Sequence, residues 1–173
     1  LNLPVAASDW TAWTHPAAFQ GARAASWGSL WAWILRIPGL HNLTGSISHN
    51  GVDLLAVAAT LGALSAIAVL AVRRDLDAFA IGAAPTGAFL LTNKIYSPNY
   101  DLWIVPFFVL LAISKKVWVC FCASALTIFV LVFGFLHGQW SVGVVDTVLP
   151  ALVVARAVTI IAVVLTALRD DGD

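Results

Sequence analysis

Five nearly uninterrupted apolar stretches lie along the second two thirds of the chain, and polar residues gather between them. The first, 54–72, is bracketed by Asp53 and by Arg73-Arg74. Ala78–Thr92, 102–114, 117–136 and 147–168 follow, the last with Pro150 near its start and Arg156 near its middle. A helix that crosses a bilayer needs about 20 largely apolar residues. The pattern therefore predicts an all-α membrane fold with about five transmembrane helices in residues 51–173.

Residues 1–50 read differently and form a second region. They hold Trp10, Trp13, Trp27, Trp31 and Trp33, five of the eight tryptophans. Trp favours the headgroup layer, where its ring is half apolar and its N–H stays wet. Trp27, Leu30, Trp31 and Ile34 recur at one helical face, with Pro38-Gly39 as a stop. This predicts a helix lying along the outer membrane surface. A shorter helical turn around 17–25 precedes it, with Pro16 suited to its first turn.

Composition agrees with a lipid-solvated chain. Hydrophobic residues make up 61% and charged residues 10%, and the mean hydropathy is +0.92. A soluble fold of this length has too little interior to hide so much apolar surface. The formal net charge is zero, which argues against a nucleic-acid partner. The chain starts at Leu1 without a signal-peptide pattern and reads as the C-terminal part of a longer polypeptide. Basic residues set the orientation. Arg73-Arg74, Lys115-Lys116 and Arg169 follow alternate segments and fall on one side, assigned as cytoplasmic in a multi-pass cell membrane protein. Lys94 falls on the other.

Two of the five stretches are short, with 15 residues in Ala78–Thr92 and 13 in 102–114. At about 1.5 Å per residue each covers roughly 20 Å of a hydrocarbon layer near 30 Å thick. Pro85 and Pro106 interrupt them. The polar connection 93–101 then lies partly at membrane depth, where irregular backbone survives only against protein or a watery cavity. Lys94 and Asp101 would need partners or a ligand there. The alternative is that both helices extend, leaving Lys94 and Asp101 as interfacial anchors.

The run N-K-I-Y-S-P-N-Y-D-L-W-I-V-P at 93–106 resembles the signature of polyprenyl-phosphate-sugar-dependent glycosyltransferases of the GT-C type. It is most similar to glycosyltransferase family 87, the actinobacterial α-mannosyltransferases. Lys94, Ser97, Pro98, Tyr100, Trp103 and Pro106 match. Asn99 stands where Gln is usual, and Asp101 where an apolar residue is more typical. Upstream, Phe19, Arg23 and Trp27-Gly28-Ser29-Leu30-Trp31 resemble a second stretch of the same family, with Ser26 replacing a frequent acid.

The resemblance implies the C-terminal part of a GT-C-like fold. It also implies transfer of a sugar, mannose first among candidates, from a lipid-linked donor to an envelope glycan or glycolipid. The expected partners are that donor, membrane lipids and the N-terminal half of the same polypeptide, with no cofactor and no metal. The catalytic acid is expected outside this chain. A leaving lipid phosphate needs a fixed cation: Lys94 is the first candidate and Arg23 the second, although Arg23 also fits the solvated face of an interfacial helix. Tyr96, Ser97, Asn99 and Tyr100 are placed as donor-binding groups. Arg156 is expected to face protein, a cavity or absent helices, its partner an acid of the absent half or a lipid phosphate. Asp53 and Asp146 read as helix N-caps, and Gly134-x-x-x-Gly138 as a weak packing motif. His15, His41, His49 and His137 lack metal-ligand spacing, and Asn42-Leu43-Thr44 matches a glycosylation sequon by pattern only. A different class also fits the chain: a non-catalytic scaffold subunit of an envelope-synthesis complex. A transporter would need a second, related pair of broken helices, which the chain lacks.

Overall fold

A computed structural model describes residues 3–37 and 49–169. Every regular element among them is an α-helix: α1 (Leu3–Ser8), α2 (Trp10–Ala22), α3 (Leu30–Ile34), α4 (His49–Arg74), α5 (Ala78–Thr92), α6 (Pro98–Leu110), α7 (Lys115–Leu136) and α8 (Val142–Ala167). Pro38-Gly39 and the sequon at Asn42 lie outside the described residues.

The all-helical class is as expected, but among the described residues three helices, rather than five, are of membrane length. Residues Gly51–Arg74 of α4, together with α7 and α8, are long and apolar enough to cross a membrane, with mean hydropathies of 2.4, 2.6 and 2.6. Helix α5 stops at Thr92 and α6 at Leu110, so neither reaches that length. Helix α6 also begins and ends four residues earlier than its apolar run predicts. Pro98 sits in its first turn, where a missing N–H costs nothing, and this lets the helix start inside the polar connection.

Three helices stop in the same way. Asp75, Ala112 and Gly138 take left-handed φ values of 50°, 49° and 72° just past α4, α6 and α7. The next amide then bonds five residues back: Leu76 to Ala71 (3.4 Å), Ile113 to Phe108 (3.0 Å) and Gln139 to Gly134 (2.7 Å). Each bond uses a carbonyl that the helix end leaves open. Gly134 and Gly138 thus serve this turn rather than a helix–helix contact. A Cβ on Gly134 would collide with the Trp140 indole.

Helix α5 lies in the middle of the bundle, between α4 and α8. Its Ala80, Ala83, Ala84, Gly87 and Ala88 are buried at i, i+3, i+4, i+7 and i+8. Small residues let backbones approach closely, which is the main way apolar helices gain packing where lipid offers an equally apolar surface. One core joins Ile67, Ile104, Phe108, Phe121, Ile160 and Val163, from the four long helices α4, α6, α7 and α8 around α5. A second lies between α7 and α8, where Ile128, Leu131, Val145, Leu149 and Val153 are capped by Trp27, Leu30 and Trp33.

The helix ends segregate. Arg74, Asp77, Leu111 and Arg169 ring one polar pocket, and Arg74 Nη1 donates to Leu168 O at 2.7 Å. The tryptophan-rich segment packs at the opposite end, with Trp27 stacked on Phe135 at 4.8 Å. That alternation is the one expected of five successive antiparallel segments.

The first 37 residues depart from expectation. Helix α2 runs through Pro16 instead of starting there. The predicted helix from Trp27 is reduced to the five residues of α3, because Ser29 caps it, its Oγ accepting from Ala32 N at 3.4 Å. Trp27 and Gly28 form a turn ahead of it.

Candidate functional site

The polar connection between α5 and α6 is stitched to residues 23–31. Ser26 N donates to Lys94 O (2.9 Å). Tyr96 N donates to Ser26 Oγ (2.6 Å), and that hydroxyl donates to Tyr96 O (3.1 Å). Trp31 Nε1 donates to Thr92 O at 2.6 Å. Backbone groups without a helical partner must be paired somewhere if buried, and here two irregular segments pair with each other.

Four charged side chains complete the clasp. Lys94, only 8% exposed, donates to Arg23 O at 2.8 Å and forms an ion pair with Asp53. Asp53 is therefore no N-cap: α4 begins at His49, and the carboxylate one turn inside the helix turns to Lys94. Arg156 is 3% exposed and donates through Nη2 to Gly28 O. Its guanidinium covers the Tyr96 ring at 3.8 Å, and Nη1 stands 3.6 Å from Asp101 Oδ2. Its acid partner is thus in this chain. Tyr96 OH donates to Asp101 Oδ1 at 2.6 Å. A Cβ at Gly28 would stand in ordinary van der Waals contact with Tyr96 (3.7 Å) and Arg156 (3.8 Å), so the approach does not itself require glycine.

Asp146 departs from expectation in the same way as Asp53. Ser141 caps α8, and Asp146 pairs with Arg36 at 2.6 Å. Arg36 also lies over Trp33 and Trp27, at 4.7 and 5.6 Å. Arg156 is fourteen residues beyond Val142, about 21 Å along α8. The clasp is therefore recessed well below the start of that helix.

A cavity of about 370 Å³ opens on one side of the clasp. Arg23, Ser26, Ser97, Tyr100, Asp101 and Arg156 supply its polar lining. Ser97 is the N-cap of α6 but makes no capping bond through its side chain, and Tyr100 stacks near Trp103 at 4.7 Å. The facing wall is a stripe of α7: Ala125, Ile128, Phe129, Val132, Phe133 and Leu136. Its spacing places these residues on one helical face over about 16 Å. The volume falls in the usual range for small-molecule sites. A second cavity of about 410 Å³ lies on the other side of the clasp, lined by Trp27, Arg36, Asp53 and Lys94 among others.

Of the residues expected to hold a donor, Arg23, Tyr96, Ser97 and Tyr100 meet at the first cavity. Lys94 belongs to the second, and Asn99 is exposed on the outer turn of α6. Sequence reasoning missed Ser26 as the central tie, and it missed Asp101 and Arg156 as partners. A lone Arg inside an apolar run was the available signal for the last two. No family model, curated protein or solved structure matches the chain.

Proposed function

We propose that this chain is the membrane region of a glycosyltransferase that takes a sugar, mannose first among candidates, from a polyprenyl-phosphate donor. The acceptor is an envelope glycan or glycolipid. One observation carries the reading: the first cavity joins a polar end, built by the motif at 93–106 and by Arg23, to an apolar stripe on α7. A lipid phosphate has the same two-part character. Arg23 can grip a phosphate in bidentate fashion. Tyr100 and Ser97 can bond to phosphate or sugar oxygens. In this reading Lys94 holds the clasp in shape through Asp53 and Arg23 O.

The same reading takes α5 and α6 as short crossings, five in all, whose connection re-enters from the outer face. The ends at Arg73, Lys115 and Arg169 are then cytoplasmic, in a cell membrane.

The test is transfer of label from polyprenyl-phosphate mannose to membrane acceptors by the full-length protein. Label transfer that falls at least tenfold in Arg23→Ala supports the proposal; the absence of both transfer and donor binding in the unaltered protein removes it. A second reading, a scaffold subunit, draws on the ion pair that already occupies Lys94. Donor binding without turnover selects it.

A further inference from the structure

We infer that Asp101 and Arg156 together read a hydroxyl group of the sugar carried by the ligand in the first cavity. This rests on the donor reading above and extends it to sugar selectivity. Both side chains line the cavity, at residues 8% and 3% exposed. Each is already anchored by one hydrogen bond. Asp101 Oδ1 accepts the Tyr96 hydroxyl at 2.6 Å, and Arg156 Nη2 is held by Gly28 O.

The remaining pair of atoms is the one that matters. Arg156 Nη1 and Asp101 Oδ2 are 3.6 Å apart, beyond hydrogen-bond distance. A carboxylate has about four acceptor positions and a guanidinium five donors, so both retain capacity. A hydroxyl is the group that satisfies the two at once, accepting from Nη1 and donating to Oδ2. Phosphate fits this place poorly, because Asp101 would repel it; Arg23 is the cation this reading gives to the anion. The Tyr96 ring beneath the guanidinium keeps it in plane at 3.8 Å. The site is thereby rigid before the ligand arrives, which favours discrimination over raw affinity.

The experiment measures binding of three short-chain lipids to the full chain in lipid nanodiscs: polyprenyl phosphate, polyprenyl-phosphate mannose, and the mannose lipid with single hydroxyls removed in turn. The unaltered protein should bind one deoxy lipid about ten- to a hundredfold more weakly than the parent, the loss expected for a hydrogen bond to a charged group. Asp101→Asn, which keeps the side-chain shape, should flatten that difference, with each affinity read relative to the same variant's binding of bare polyprenyl phosphate. Equal binding of all deoxy lipids by the unaltered protein overturns the inference and leaves the donor reading standing. This arm needs no variant to fold. Discrimination that persists undiminished in Asp101→Asn overturns it as well. Failure to bind any of the three lipids removes the donor reading, and this inference with it.

Discussion

Ser26 and Tyr96, 70 residues apart, share three polar atoms in two hydrogen bonds. One serine hydroxyl satisfies both the N–H and the C=O of a buried tyrosine, at a point where neither belongs to a helix. The surrounding bonds, Ser26 N to Lys94 O and Trp31 Nε1 to Thr92 O, close the same seam. Two irregular segments can therefore lie among apolar helices without stranding polar groups.

Ser26→Ala should lower stability by about 1–3 kcal/mol, the cost of leaving a buried amide and carbonyl unpaired. Thermal unfolding in detergent measures it. The loss should be accompanied by faster proteolysis near residues 93–97, since the seam opens first. An unchanged melting temperature would show that the clasp does not hold these segments.

Lys94 and Asp53 should behave as a coupled pair. Replacing either with Ala leaves a partly buried charge, at a cost of about 1–3 kcal/mol once the 26% exposure of the Asp53 side chain is allowed for. The double variant should cost less than the sum of the two single ones. Additive losses would mean that the two groups are held by other neighbours.

Gly87 and Gly62 offer a paired test of helix packing. A Cβ at Gly87 would overlap Val164 Cγ2 and come within 3.3 Å of Ile160, whereas one at Gly62 meets nothing within 4 Å. Gly87→Ala should destabilise the bundle by about 1–3 kcal/mol through overpacking. Gly62→Ala should be neutral or stabilising by up to about 1 kcal/mol through helix propensity. Comparable effects at both sites would contradict the close approach of α5 and α8.

Orientation is checked by labelling cysteines introduced at Ser97 and Lys115 in a variant whose Cys120 and Cys122 have been replaced. Membrane-impermeant reagent added from outside should reach position 97 through the first cavity and leave position 115 unlabelled until the membrane is broken. The reverse result would invert the proposed topology and remove the site from the outer face.

The helices themselves were largely legible in the apolar runs. Ala78–Thr92 was bounded to the residue, and α7 and α8 differ from their runs by a few residues, because a long apolar run has no other stable form in lipid. A polar interruption was visible too, though as 93–101, of which the structure leaves 93–97 outside the helices, and so was the anomaly of Arg156. Less legible was the start of each helix. Asp53 and Asp146 resemble caps, yet His49 and Ser141 begin α4 and α8, since polar residues ahead of an apolar run can continue a helix as readily as stop it. The surface helix expected from Trp27 failed for a related reason: Gly28 lies in a turn and gives its carbonyl to Arg156, a partner far along the chain.

Sequence alone determined that this is an all-helical chain of apolar segments with one polar break between two undersized helices. Those features depend on composition and on periodicities a few residues long. Only the tertiary structure decided which charges meet. Asp53 joins Lys94, Asp101 faces Arg156, and Arg36 reaches Asp146 across 110 positions. A buried charge takes its partner from whatever group packing brings within a few ångströms, and no local pattern in the chain encodes that distance.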